Sequence, residues 1–408
     1  MTGRMLAVAL LIVGNLIGAG ILALPIQTGL AGWWPSAFGL LVTGLAMYYS
    51  AVVLSREAAT QREPTFNYPS LFGRHLGPLG KWVATLANLL LLYGLLTAYL
   101  TGGTSILMGL FALPVSGKVV LLGFWTVATA LAAGNLAWLE RYNGLLVVLM
   151  VAAFMALAIL AGSHVHPDRL AHRDWPFLPC AIPIMVTAFH FHNIIPTVCE
   201  RLNWNHRAIW KSMLLGMILG FLLNAVWILV GVGSLPLDAS EAGLVTAFEK
   251  NLPATVPLAQ MVHTPLFTSV ALAFALIAIL TSYMANGVGL LGFATDFLVH
   301  HAGRDNRLLA KALTFLPPLV IGLIYPDLFL KAIDVAGGVG IVTLFGILPA
   351  VLAWRQAATR GSRGLAAIMF VLFTAFLLFE IGQKTGLLRM KPSTESWETG
   401  AVAPAAEN

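Results

Sequence analysis

The stretch VGNLIGAGILALP, residues Val13 to Pro25, lies within the first long apolar segment of the chain. It holds Gly14, Gly18 and Gly20, and a glycine in a helix interior costs about 1 kcal/mol relative to alanine. One interpretation is close packing between helices, because Gly14 and Gly18 are small residues four positions apart. The other is a span that unwinds in its middle, which is tolerable only where the freed backbone groups face a cavity or a ligand.

The composition indicates an all-α integral membrane protein. Of the 408 residues, 59% are hydrophobic and 10% are charged. Apolar segments of about 20 residues, the length of helix that spans a bilayer, recur along the chain. A β-barrel would show short alternating segments instead. The segment at 5–24 resembles a signal sequence, but no cleavage site with a polar mature domain follows it, so we expect a retained span.

The apolar pattern predicts eleven transmembrane helices. They lie near 5–30, 33–55, 79–110, 119–137, 143–162, 179–199, 211–234, 263–299, 308–325, 331–354 and 364–383. Most lysines and arginines fall in loops on the side of the N-terminus, so we expect a cytoplasmic N-terminus and a periplasmic C-terminus. The same bias explains the net charge of +6 without a nucleic-acid partner. We expect one transmembrane domain over 1–390 and a polar, disordered tail over 391–408.

The sixth span carries a second interruption, in TAFHFHNIIPTVCE, residues Thr187 to Glu200. Pro196 removes a backbone hydrogen bond and disfavours helix at Ile195. Interruptions at corresponding positions of two halves are the best sequence indication of a transporter with inverted repeats. We therefore predict broken helices 1 and 6 in a 5+5 inverted repeat. Repeat one covers about 5–162, repeat two about 179–354, and an extra helix about 364–383.

Four stretches carry a family resemblance. GNLIGAGILALP is similar to the first-span motif, and FHFHNIIP at 189–196 to the sixth-span pattern, of the bacterial hydroxy and aromatic amino acid permeases. This family includes tyrosine- and tryptophan-specific transporters within the amino acid–polyamine–cation superfamily. The chain departs from the family at His190 and Asn193, where glycine is usual and where larger side chains would crowd or polarise the pocket. The other matches are Tyr93 with Thr97, Ala98 and Tyr99 in the third span, and FLPPL at 315–319 followed by Tyr325 and Pro326 in the ninth.

The resemblance implies a LeuT-type fold and ion-driven import of tyrosine, tryptophan or phenylalanine across the bacterial inner membrane. We expect symport by alternating access, in which one helix bundle rocks against the other around a central site. The expected partners are an amino acid substrate and the lipid bilayer. We expect no cofactor other than a coupling ion, H⁺ or Na⁺, and no obligatory protein partner.

The first break predicts a carboxylate site. Free N–H groups at the start of the second half-helix can bind an anion, aided by the positive end of the helix dipole. We therefore expect Gly18, Ala19 and Gly20 to bind the substrate carboxylate. Asn15, one turn earlier, would contact the amino group or a coupling ion, with an interhelical hydrogen bond as the alternative.

The second break predicts the rest of the substrate site. His192 matches the family motif and would hydrogen-bond the substrate or carry a proton, unless it is a neutral histidine bonded to a freed carbonyl. Phe189 and Phe191 would line an apolar pocket, with plain packing as the alternative. Asn193 is placed with them at the substrate. The role of His190 stays open.

Two further helices contribute candidates. Tyr93 and Tyr99 are not on one ridge of the third span, so at most one should face the site; we place Tyr93 there. In the eighth span, Thr281 and Ser282 face the region that closes a sodium site in this fold, and hydroxyl oxygens suit a hard cation. Hydrogen bonding of these hydroxyls to their own helix is the alternative. We expect no other metal.

Other functions are less well supported. We expect no enzyme, because the chain has no HExxH motif and no carboxylate spaced to act as a general base. A divalent-metal transporter of the same fold would need an acid near the first break, and this sequence has none there. The main alternative is a proton- or sodium-coupled transporter of other neutral amino acids. Binding measurements with the twenty amino acids would discriminate these two functions.

Overall fold

The computed structural model describes residues 3–18, 20–62, 67–111, 114–134, 136–302, 306–390 and 392. The side chains of residues 111, 136–144 and 300–302 are not described. Within these ranges every regular element is helical, as the sequence predicts. The predicted disordered tail at 391–408 lies outside the described residues, apart from residue 392.

The chain forms sixteen α-helices in the described ranges. In chain order they are α1 Gly3–Leu16, α2 Gly20–Gly29, α3 Trp33–Gln61, α4 Tyr68–Phe111, α5 Gly117–Ala132, α6 Leu136–Gly162, α7 Ile182–Ala188, α8 Ile195–Arg201, α9 His206–Ser234, α10 Leu244–Glu249, α11 Thr255–Val262, α12 Pro265–Ala302, α13 Arg307–Ile324, α14 Phe329–Val335, α15 Leu348–Gln356 and α16 Arg360–Lys384. Short 3₁₀ helices lie at Pro167–Ala171, Leu178–Ala181 and His192–Ile194, and π-helical turns at Ala336–Ile341 and Thr343–Ile347.

The number and length of the apolar helices are those of a multi-pass membrane protein. Nine helical segments of the described residues are long and apolar enough to cross a bilayer, and α1 with α2 makes a tenth if the bent pair is one span. The helix α5 is apolar but has only 16 residues, fewer than the roughly 20 that a span needs. The count of eleven spans therefore stays a prediction.

The first span is broken, as predicted. The axes of α1 and α2 differ by 60° at a break after Leu16. Residues 21 to 31 are all buried, because segments from distant parts of the chain cover α2. The indole N–H of Trp227 donates to the Ile21 carbonyl at 2.9 Å, and the amide of Ala254 donates to the Leu22 carbonyl at 2.7 Å. The Ile21 carbonyl needs such a partner because Pro25, four residues later in α2, has no N–H to donate to it.

The sixth span is also broken. Helix α7 ends at Ala188, and Phe191 has φ −131° and ψ 11°, which is not helical. One 3₁₀ turn follows before α8 begins at Ile195. The predicted effect of Pro196 on Ile195 is wrong, because Ile195 has helical angles of φ −53° and ψ −44°. Pro196 lies in the first turn of α8, where its missing N–H costs nothing.

The two broken spans run in opposite directions. Gly216 of α9 packs against Ile12, and Gly220 packs against Leu16, so α9 runs parallel to the first span. The sixth span ends just before α9 begins and is therefore antiparallel to the first. An inverted repeat requires this relation. The repeat itself, with the bounds predicted above, stays a prediction.

The tenth span has a feature that the sequence analysis missed. Between α14 and α15 the chain winds as π-helix over Ala336–Ile341 and Thr343–Ile347. A Cβ added to Gly337 would clash with the Pro183 carbonyl oxygen, and a Cβ added to Gly340 would lie 3.0 Å from the Leu91 backbone. The segment AGGVG supplies the small residues for these close approaches. π-helical turns occur frequently at functional sites.

Candidate functional site

A central cavity of about 250 Å³ lies where the two breaks meet. Its walls come from α1, α4, α6, α12 and the interrupted sixth span. The described residues around it are Leu11, Gly14, Asn15, Leu16, Gly18, Gly20, Leu95, Tyr99, Leu146, Val147, Met150, Thr187, His190, Asn193, Ile194, Thr281, Ser282, Ala285 and Asn286. One side is apolar and the other carries amide, hydroxyl and imidazole groups. This is the usual division in a pocket for a small organic ligand.

The cavity brings together six of the residues that the sequence predicts for the site. They are Asn15, Gly18, Gly20, Asn193, Thr281 and Ser282. A Cβ added to Gly18 would lie 3.0 Å from Ser282 Oγ and 3.2 Å from the Asn15 carbonyl oxygen. A Cβ added to Gly20 would lie 3.3 Å from Thr187 Cγ2. Glycine at Gly18 therefore keeps the backbone of the first break open towards the cavity.

The hydroxyl groups of α12 are already engaged in part. The hydroxyl of Thr281 donates to the Ile277 carbonyl of its own helix at 2.7 Å. The Asn286 amide donates to the Ser282 carbonyl at 2.9 Å, and the Ser282 hydroxyl is hydrogen-bonded to Tyr99. Since a hydroxyl that donates to a carbonyl keeps its lone pairs, these bonds leave oxygen atoms that could hold a cation.

Other predicted residues lie outside the cavity wall. The Tyr93 hydroxyl donates to the Leu313 carbonyl at 2.7 Å. Phe189 is fully buried against Gly44, and Phe191 is fully buried beside His192. The His192 ring is also fully buried, and it stacks on Phe345 with the ring centroids 5.0 Å apart. Ala19 lies outside the described residues.

Tyr99 and His190 are two of the residues that reach the cavity without having been assigned to it. Tyr99 takes the position that was predicted for Tyr93, because the two point to different sides of α4. His190 lines the cavity, and its ring centroid is 5.1 Å from that of Phe345. Its polar character beside an interrupted helix was the available signal. Which of the two histidines faces the cavity could not be predicted from the sequence, because helical spacing does not apply at a break.

Further cavities continue from the central one towards the membrane face at which α1 begins, here called the N-terminal face. A second cavity of about 320 Å³ shares His190, Asn193, Ala285 and Asn286 with the first. A third, of about 290 Å³, shares residues of the 67–69 segment and of the C-terminal part of α12 with the second. Because α3 returns the chain to the N-terminal face before residue 62, this series of cavities leads from the two breaks to that face.

Comparison with known proteins agrees with the motifs. The model of the tryptophan/tyrosine permease family matches residues 1–382. This chain belongs to that family. The permease is 28% identical to tyrosine-specific transport system 1 of Haemophilus influenzae, over 85% of this chain and 86% of the relative. It is also 28% identical to the tryptophan-specific transport protein of the same organism, over 93% and 96% of the two chains.

A third relative is named for tryptophan, whereas the first is named for tyrosine. The permease is 27% identical to the low affinity tryptophan permease of Proteus vulgaris, over 83% of this chain and 84% of the relative. Tyrosine- and tryptophan-named relatives therefore match at nearly the same identity. Overall similarity therefore does not distinguish between the substrates named for these relatives.

Proposed function

We propose that this permease imports an aromatic amino acid, tyrosine, tryptophan or phenylalanine, by ion-coupled symport through alternating access. The observation that carries the proposal is the cavity at the meeting point of two interrupted spans in a member of this family. Backbone groups freed at mid-membrane are costly unless they bind something. A zwitterion supplies both the anion and the cation that such groups can hold.

The substrate carboxylate binds at the first break. Helix α2 begins at Gly20 and has ten residues, so the positive end of its dipole points at Gly18 and the cavity. The amino group lies on the other side, near the Asn15 side chain and the carbonyls of the last turn of α1. Gly18 and Gly20 contribute backbone N–H groups, and Ser282 and Tyr99 close this end of the site.

The aromatic ring lies against the apolar wall. Leu95 of α4 and Val147 and Met150 of α6 form this wall, and sulfur–aromatic contacts are favourable. His190 and Asn193 border the same space from the sixth span. His192, Phe189 and Phe191 act behind them, by fixing the shape of the second break from within the protein.

The coupling ion is H⁺ or Na⁺, and the two have different candidate positions. A sodium ion would bind between the carbonyls of the first break and the hydroxyls of Thr281 and Ser282. The permease lies in the bacterial inner membrane with its N-terminus on the cytoplasmic side. The cavities that lead to the N-terminal face are therefore the route by which the substrate is released into the cytoplasm. Coupling requires that the ion bind the two states of the carrier with different affinity.

Thermal unfolding of the purified permease with each of the twenty amino acids tests the proposal. A ligand at 100 times its Kd stabilises the folded state by about 2.7 kcal/mol and raises the midpoint. We expect tyrosine, tryptophan or phenylalanine to raise it and alanine, serine and glutamate to leave it unchanged. If small neutral amino acids raise it and the aromatic ones do not, the permease carries other neutral amino acids. Uptake into proteoliposomes under an imposed Na⁺ or pH gradient identifies the coupling ion.

A further inference from the structure

Away from the central cavity, three charged side chains meet at the membrane face opposite the N-terminal face. Lys384 Nζ lies 3.4 Å from Asp334 Oδ2 and 3.4 Å from Glu380 Oε1. The Glu380 side chain is only 2% exposed, whereas that of Lys384 is 38% exposed and reaches solvent. The proposed substrate site does not use this group of Asp334, Glu380 and Lys384, which we call the outer triad.

The outer triad contains two carboxylates and one ammonium. With both acids ionised, one negative charge is unmatched in a buried place, which is costly. Glu380 Oε1 is buried, and among the described residues its cationic partner is Lys384 Nζ at 3.4 Å, longer than the roughly 2.7–3.2 Å of a good N–H···O hydrogen bond. Binding one proton removes the unmatched charge and leaves Lys384 paired with Asp334 alone.

Other titratable groups face the outer triad. Lys331 is on the same helix as Asp334, and Cys180 and Asp174 come from the segment before α7. The Gln383 amide donates to Cys180 Sγ at 2.9 Å and so occupies that thiol. Lys331 lies towards Asp334 rather than Glu380. Glu380 therefore remains the carboxylate with the poorest compensation.

The outer triad is bonded to the broken first span. Gln27 of α2 is 3% exposed, and its amide donates to Asp334 Oδ1 at 3.0 Å. One carboxylate oxygen of Asp334 therefore accepts the hydrogen bond from Gln27 of α2, and the other pairs with Lys384. Helix α2 begins at Gly20, which borders the central cavity. Helix α2 therefore extends from the central cavity to the outer triad.

Glu380 is also packed against the π-helical part of the tenth span. A Cβ added to Gly338 would lie 2.7 Å from Glu380 Cγ and 3.1 Å from Pro183 Cγ. The missing side chain at Gly338 makes room for the Glu380 carboxyl group between α16 and the start of α7. The outer triad therefore contacts the first, sixth, tenth and last spans together.

We propose that Glu380, with Asp334 and Lys384, is a proton-binding site open to the face opposite the N-terminal face, and that its occupancy holds α2 closed through Gln27. When Glu380 takes a proton from water on that side, Lys384 pairs fully with Asp334, and Asp334 stays bonded to Gln27. When Glu380 releases the proton to that water, the outer triad holds an unmatched negative charge in a buried place, and this charge is stabilised when α2 moves away and water enters. The proposal deepens the proposed transport function by naming a site that regulates closure.

Accessibility of a cysteine in α2 tests the proposal without requiring transport. Ala23 is fully buried on α2, so Ala23→Cys, in a chain carrying Cys180→Ala and Cys199→Ala, reports opening at the opposite face. Right-side-out vesicles are treated with a membrane-impermeant methanethiosulfonate over a range of external pH. Because only the thiolate reacts, each labelling rate is divided by the rate of an exposed reference cysteine, Ser116→Cys in the same background, at the same pH. We expect this normalised labelling rate to rise about tenfold or more as pH rises, the change that about 1.4 kcal/mol produces.

Three further substitutions make the test specific. Glu380→Gln, which mimics the protonated acid, should keep labelling slow at every pH. Gln27→Leu leaves the outer triad intact but cuts its bond to α2, so labelling should be fast at every pH. Glu57→Gln is the matched control, because Glu57 is a carboxylate paired with His75 at 3.1 Å on the N-terminal face; its pH profile should equal that of the parent chain.

Each outcome decides the proposal. It is overturned if labelling of the parent chain is independent of pH, if Glu380→Gln keeps the parent's pH dependence, or if Glu57→Gln abolishes it. Thermal midpoints and monodisperse gel filtration show which variants are folded, and a misfolded Glu380→Gln is replaced by Glu380→Met. If the parent chain shows the pH dependence but binds none of the aromatic amino acids, the proposed function fails and the proton-binding site stands.

Discussion

Replacement of Gly18 by leucine is the sharpest test of the substrate site. The side chain would start from a Cβ only 3.0 Å from Ser282 Oγ and 3.2 Å from the Asn15 carbonyl oxygen. Overpacking of this kind costs about 1–3 kcal/mol, which corresponds to a roughly 5- to 150-fold change in an equilibrium constant. The rest of the leucine side chain would also fill space in a cavity of about 250 Å³. We therefore expect Gly18→Leu to abolish uptake.

The assay compares Gly18→Leu with Gly18→Ala and with a control glycine. Gly123 on α5 has open space where a Cβ would lie, so Gly123→Leu adds the same side chain without entering the cavity. Initial rates of tyrosine and tryptophan uptake are measured in cells and scaled to the amount of protein in the membrane. Gly18→Ala should keep a reduced rate, because alanine adds only the Cβ, and Gly123→Leu should transport normally.

Binding to purified protein separates a blocked site from a misfolded chain. Gly18→Leu should be monodisperse and should unfold only a few degrees below the parent, as overpacking of about 1–3 kcal/mol predicts for a large chain, but aromatic amino acids should no longer raise its midpoint. The reasoning is refuted if a folded Gly18→Leu protein binds tyrosine or tryptophan with unchanged affinity. In that case the carboxylate does not bind at the first break.

Three more predictions concern the cavity and its supports. In a cysteine-free chain, Ala285→Cys should react with thiol reagents added at the N-terminal face, and substrate should protect it. Ala278→Cys, at a fully buried position of the same helix, should not react. Equal labelling of both would contradict the series of cavities. His190→Ala should change substrate affinity severalfold with little effect on the unfolding midpoint. His192→Ala removes a ring that packs on Phe345 and should lower the unfolding midpoint by several degrees. The reverse pattern would place His192 at the substrate. Gly337→Ala should destabilise by about 1–3 kcal/mol or more through overpacking against Pro183, as measured by thermal unfolding, while Gly361→Ala in open space should not.

The two breaks could be predicted because their cost is local. Glycines at 14, 18 and 20 and polar groups with a proline at 190–196 are unfavourable in a membrane helix whatever surrounds them. The position of the second break was harder to predict. The pattern places it at Ile195 through Pro196, yet the chain leaves helix at Phe189 to Phe191 and Pro196 starts the next helix. A proline marks a helix start as readily as a helix end.

The cavity wall could be predicted only in part, because facing depends on geometry that the sequence does not contain. Tyr93 and Tyr99 are both on α4, and only the structure shows that Tyr93 is bonded to α13 whereas Tyr99 lines the cavity. Val147 and Met150 are ordinary apolar residues, indistinguishable from their lipid-facing neighbours. The π-helical turns over 336–347 could not be predicted because their glycines also fit an α-helix that packs closely.

The tenth span connects the features at the two ends of the cavity. At its start Asp334 is bonded to Gln27 of the first span. Gly338 then receives the Glu380 side chain, and Phe345 stacks on both His190 and His192 at the second break. The Phe345 carbonyl also accepts a hydrogen bond from the Ser50 hydroxyl of α3. The outer triad is therefore joined to the same span that packs against the two histidines of the second break.

This arrangement gives a physical reason for the π-helical turns. A π-helical turn is rare and holds its extra residue only where the surroundings fix it, and here Gly337 and Gly340 are fixed against Pro183 and Leu91. If α2 moves away from α14, the contact at Asp334 is lost, while Gly337 keeps the tenth span packed against Pro183 of the sixth. In the proposed function, the sixth and tenth spans then move together relative to the first span when the opposite face opens, which is the kind of concerted movement that alternating access requires.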